Sequence, residues 1–144
     1  MWILLALGAS LFWGMTYAIN EQVYKHISVL SSLAITLTVS GILVGIAALS
    51  LGMLGRDFAT LASAPKVLSL VLAGIAVLTI AELFIGFSIT EKNATLVGLI
   101  EISYPIFILL FSYLLFKENN LTVATAIGGV LMFAGVAVIY LFNK

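Results

Sequence analysis

The stretch Ile102-Ser103-Tyr104-Pro105-Ile106-Phe107-Ile108-Leu109-Leu110-Phe111-Ser112-Tyr113-Leu114-Leu115 decides the fold. A membrane-barrel strand would alternate apolar and polar side chains over about ten positions. This run does not alternate, so it reads as helix. Extended back to Thr95 and closed by Lys117-Glu118-Asn119-Asn120, it is long enough to cross a bilayer, which takes about 20 apolar residues. Working outward, four more apolar runs appear. The five predicted spans are residues 2–20, 29–53, 67–90, 95–116 and 121–142. Polar breaks separate them at Asn20-Glu21-Gln22 through Lys25-His26, at Arg56-Asp57 through Pro65-Lys66, and at Glu91-Lys92-Asn93. The longest connection, Gly55 to Lys66, suits a short amphipathic piece lying along the interface. The first span lacks a basic leader and stays apolar through Ile19, longer than a signal-peptide core of about 7–15 residues. It reads as a retained helix. We expect one transmembrane domain over residues 1–144.

Composition agrees. The 144 residues are 63% hydrophobic and 8% charged, against about 25% charged in a soluble domain. A soluble enzyme, a nucleic-acid binder and a disordered tail are excluded. Formal net charge is zero, so no basic face awaits phosphates. The chain has no cysteine, which removes disulfides, thiol nucleophiles and thiolate metal sites. No nucleophile–base pair, metal-ligand cluster or phosphate loop is present, so neither an enzyme nor a cofactor is expected.

Lys/Arg bias between alternate loops normally fixes orientation. Here Arg56, Lys66 and Lys117 fall on one side, and Lys25, Lys92 and Lys144 on the other. The tie has two readings. Six basic residues can balance by chance, or copies can insert both ways and pair antiparallel. An odd span count makes tandem copies inverted, and inverted five-helix halves are one way to build alternating access.

Two acids lie inside spans. Glu82 is in span three and Glu101 in span four. An acid at mid-membrane costs about 2.5–3.5 kcal/mol and marks a proton or substrate path by default. No Lys or Arg lies within a span to pair with either one. The plainer alternative is a protonated Glu bonded to a neighbouring helix. On span four, Gly98, Glu101, Pro105 and Ser112 share a face, with Tyr104 beside them. Pro105 removes a backbone donor in mid-helix and frees a carbonyl near Glu101. On span three, Thr79, Glu82, Gly86 and Thr90 form a similar stripe. Each stripe is either a packed face or one wall of a polar cavity. Span one carries Ser10, Trp13, Gly14, Tyr17 and Glu21, and Trp13 lies too deep for an interface anchor. It faces either lipid or the pocket. The candidate substrate-binding and proton-coupling residues are Glu82, Glu101, Trp13, Tyr17, Tyr104 and Pro105. Tyr24, Tyr140 and Trp2 read as interface-belt residues. Gly41 with Gly45, extended by Ala48 and Gly52, and Gly128 with Gly135 are candidate packing positions. They are expected to serve packing inside the chain, with a dimer seam as the second reading.

The segment Phe12-Trp13-Gly14-Met15-Thr16-Tyr17-Ala18, the 13-residue spacing from Pro105 to Glu118, and the glycines Gly128, Gly129 and Gly135 resemble one half of a drug/metabolite transporter of the EamA-like kind. Two positions depart from that pattern. The stretch Thr36-Leu37-Thr38-Val39-Ser40 lacks the basic residue often found there. The acid near the proline is Glu101, while Tyr104 stands just before it. Glu118 matches the motif and reads as structural, capping or pairing beside Lys117. The resemblance implies an all-α membrane fold, five helices forming one inverted-repeat half of a ten-helix transporter. It implies a secondary transporter or exporter of small organic metabolites, a small-molecule substrate, and no cofactor. It also implies a partner, either a second antiparallel copy or a homologous half inserted the other way, in a prokaryotic cytoplasmic membrane. Two other functions stay open, a flippase subunit for lipid-linked substrates and a membrane packing subunit that transports nothing.

Overall fold

A computed structural model describes residues 1–119 and 121–142. Among them are seven helices and no strand. They are α1 (Trp2–Val23), α2 (Val29–Ser50), α3 (Met53–Ser63), α4 (Pro65–Glu91), α5 (Ala94–Glu101), α6 (Tyr104–Phe116) and α7 (Val123–Phe142). Five stretches are long and apolar enough to cross a membrane: α1, α2, α4, the α5–α6 stretch from Ala94 to Phe116, and α7. Asn120 and Lys144, which entered the loop and charge readings, lie outside the described residues.

The helix ends follow from local chemistry. Ser28 caps α2, its hydroxyl accepting from Ser31 N–H at 3.2 Å. Asn93 caps α5 by accepting from Leu96 N–H at 2.8 Å, and so makes a turn out of very few residues. Pro65 opens α4, at the position where its missing N–H costs nothing. Gly52 has φ 69°, and this left-handed turn separates α2 from α3. The residue read as extending a packing stripe is therefore a turn glycine. Lys117 is the other left-handed residue, at φ 60°. It ends α6 by turning its N–H back to Tyr113 O at 3.0 Å, while Glu118 N–H reaches Ser112 O at 3.2 Å. The Lys117 ammonium lies 5.5 Å from the centre of the Tyr113 ring.

Two features bear on the sequence reading, an amphipathic piece expected and found as a helix, and a span expected as one helix and found as two. The connection Gly55 to Lys66 contains a helix, α3, with Leu54, Phe58 and Leu61 on one face and Arg56, Thr60 and Ser63 on another. Span four is two helices, because the chain breaks at Ile102-Ser103. Pro105 has no N–H for the Glu101 carbonyl, and its ring clashes with that carbonyl in a continuous helix. Ile106 N–H bonds instead to Ser103 O at 3.2 Å, a tighter turn that restarts the helix.

The chain divides into two compact units. One comprises residues 1–19 with 92–144, and the other residues 20–91. In the first, α5 packs with α7. In the second, α2, α3 and α4 pack together. The described core is small: Tyr17 and Ala94 in the first unit, Val29, Ser32, Leu33 and Ile89 in the second. Most large apolar side chains face outward, as expected where lipid covers the surface.

The glycines separate into close and open positions. A Cβ built on Gly86 would overlap Val29 Cγ1 and lie 3.3 Å from the Tyr24 hydroxyl. One on Gly98 would lie 3.3 Å from Tyr17 Cδ2, and one on Gly129 would meet Ile106 at 3.5 Å. At Gly41, Gly45, Gly128 and Gly135 nothing in the residue's own unit comes within 4 Å among the described residues. Their spacing marks a face on which helix backbones can approach.

Candidate functional site

The site is built on α1, α5 and the start of α6, all in the first unit. Trp13 and Tyr17 are one turn apart on α1, and their rings meet edge to face with centroids 5.8 Å apart and planes at 73°. Tyr17 is buried, and its ring lies against Gly98 of α5 because that residue has no Cβ. From there the Tyr17 hydroxyl donates to Glu101 Oε2. Glu101 is the last residue of α5, and the break that Pro105 imposes falls immediately after it. A pocket of about 610 Å³ lies beside this pair, bounded by Trp13, Tyr17, Thr95, Gly98, Glu101 and Tyr104. That volume is in the range of pockets that take small molecules.

The pocket is mixed in character. Trp13 and Tyr104 are about half exposed, at 49% and 55%, so their rings offer area to a ligand. Ser10 also lines the wall, but its hydroxyl bonds to Ala6 O of its own helix at 3.1 Å. Among the described residues, no Lys, Arg or His lines the pocket. The structure thus brings together Trp13, Tyr17, Glu101 and Tyr104 from the sequence-derived set. Pro105 does not line the pocket and acts on it through the backbone.

Glu82 belongs to the second unit, on α4. Its stripe is partly spent on packing. Thr79 and Thr90 turn their hydroxyls onto their own helix, to Ile75 O at 2.8 Å and Phe87 O at 2.7 Å, and Val29 fills the space beside Gly86. Tyr24 lies at the same place. Burial pushes its phenol above the ordinary value of 10.0, and the negative charge of Glu82 pushes it further. Tyr24 was read as a belt residue, and its distance of seven residues from Tyr17, two helical turns, was the available signal. Gly98 and Thr95 were likewise not read as site residues. Among the described residues, no group of three or more His, Cys, Asp or Glu is placed to hold a metal ion.

Five stretches long and apolar enough to cross a membrane mark a multi-pass membrane protein, and its first unit carries a carboxylate-bearing, aromatic-walled pocket. The chain belongs to the EamA-like transporter family, which it matches over residues 1–141, and through it to the drug/metabolite transporter superfamily. Members of this family are membrane transporters of small molecules, not enzymes. No curated protein and no solved structure matches the chain.

Proposed function

We propose that the protein is a secondary transporter of small organic metabolites, coupled to protons through Glu101 and working by alternating access. The observation that carries this reading is the Tyr17–Glu101 hydrogen bond at the wall of a pocket large enough for a metabolite. A carboxylate held by one neutral donor, with no cation lining its pocket, can exchange that arrangement for a proton or a ligand. Trp13 and Tyr104 supply the apolar wall, and Pro105 keeps Glu101 at a helix end. Glu82, beside Tyr24, is a second candidate proton carrier. The working unit is a pair of oppositely inserted halves, either two copies of this chain or this chain with a homologous half. Equal basic-residue counts on the two sides support that arrangement. The setting is the cytoplasmic membrane of a prokaryote, and each half is a single domain.

The test uses proteoliposomes that enclose a pH-sensitive dye and face an imposed pH gradient. Challenged with a panel of amino acids, sugars and amines, the wild-type protein should move protons with at least one of them. The variant E101Q should insert normally and move none. Proton movement undiminished in E101Q would remove Glu101 from the mechanism.

A further inference from the structure

We propose that the pocket beside Glu101 takes an organic cation, a substituted ammonium with an apolar body, in preference to a neutral or anionic solute. This rests on reading the pocket as the transport site and adds the chemical class of its ligand.

Charge is the first argument. Among the described lining residues Glu101 carries the one carboxyl group, and none is basic. An anion entering would meet a carboxylate with no countercharge, and only neutral hydroxyl and indole donors would offer it hydrogen bonds. A cation meets attraction at a partly buried carboxylate, where Coulomb interactions are stronger than in open water.

Ring geometry is the second. Tyr17 is buried and engaged with the carboxylate, so its role is to hold the anion in place. Trp13 and Tyr104 retain about half their surface and present π-systems whose negative faces attract cations, Trp most strongly. The Tyr17 bond uses Oε2 alone, and Oε1 keeps its acceptor capacity. A carboxylate oxygen sharing one pocket with two accessible rings is the recognition chemistry of an alkylammonium group.

Two tryptophans occur in the chain, Trp2 and Trp13, so W2F leaves Trp13 as the sole indole reporter inside the pocket. The experiment titrates W2F, in lipid nanodiscs, with benzyltrimethylammonium, with its uncharged carbon isostere neopentylbenzene, and with benzenesulfonate. Ligand concentrations are corrected for partition into empty discs. The cation should bind at least about tenfold tighter than the isostere, with the sulfonate weakest. Adding E101Q should reduce the preference to about threefold, the share of the aromatic faces. Equal or tighter binding of the isostere or the sulfonate overturns the proposal. It does so without any variant at Glu101, so misfolding of E101Q cannot obscure the result.

Discs of phosphatidylglycerol and of phosphatidylcholine distinguish the source of the cation. If the lipid's own trimethylammonium headgroup is the natural ligand, phosphatidylcholine competes with the soluble cation. Equal affinity in both discs assigns a soluble one. Binding is read without flux, so the two readings fail separately. Proton-coupled flux that needs Glu101, found together with equal affinity for the isostere, discards the cation and keeps the transporter. Selective cation binding without flux keeps the ligand class and discards the transport role.

Discussion

At the scale of single residues, two glycines set the close approaches. Gly98 lets the Tyr17 ring reach α5, and Gly86 lets Val29 and Tyr24 close on α4. Gly86→Ala should lower stability by about 1–3 kcal/mol through overpacking, partly offset by the helix preference for Ala of about 1 kcal/mol. Gly41→Ala meets open space in its own unit and should be neutral or slightly stabilising. Thermal unfolding midpoints of the two variants in one detergent make the comparison, and equal shifts would refute the packing difference. The same residues show what a sequence can disclose. Glu101 was readable because an acid inside an apolar run is conspicuous, and helical periodicity put Gly98 and Pro105 on its face. Its donor was not, because Tyr17 lies 84 residues away and no local pattern links them. Gly41, Gly45, Gly128 and Gly135 were read for packing from their spacing alone. Small residues at intervals of four permit an approach but do not supply the partner.

At the scale of elements, the break between α5 and α6 is the least regular feature of the membrane-crossing part. Hydrophobic length gave all five crossings, since the bilayer fixes how many apolar residues a helix needs. Pro105 announced the freed carbonyl. The full interruption at Ile102-Ser103 was missed because the apolar run continues unbroken across it. Proline also occurs in kinked helices that stay continuous. Pro105→Ala restores an N–H for the Glu101 carbonyl and favours one helix from Ala94 to Phe116. Stability should rise, by up to about 3 kcal/mol, while proton-coupled flux is lost as Glu101 turns away from Tyr17. A more stable variant with unchanged flux would show that the break has no part in coupling. The short helix α3 was anticipated as an amphipathic piece because Leu54, Phe58 and Leu61 repeat at helical spacing amid polar residues.

At the scale of the whole molecule, the balanced loop charge makes insertion itself a measurable quantity. The native chain has no cysteine, so a single S63C, at the exposed end of α3, reports one connection. Intact cells labelled with a membrane-impermeant maleimide, before and after permeabilisation, should show about half the molecules reactive from outside if both orientations occur. Labelling from one side alone would leave an oppositely inserted homologous half as the partner. The chain interruption beside Glu101 also has a mechanical meaning. Helix α5 is anchored at its far end by the Asn93 cap and buried Ala94, and at its middle by Tyr17. Helix α6, an arm of 13 residues and about 20 Å, buries no side chain completely and meets Gly129 through Ile106 near its start. With its fulcrum at Ile102-Ser103, a swing of about 10° carries the far tip of such an arm roughly 3 Å. In such a swing the carboxylate, on the α5 side of the pivot, would stay on Tyr17 while the outer part of the arm changed position.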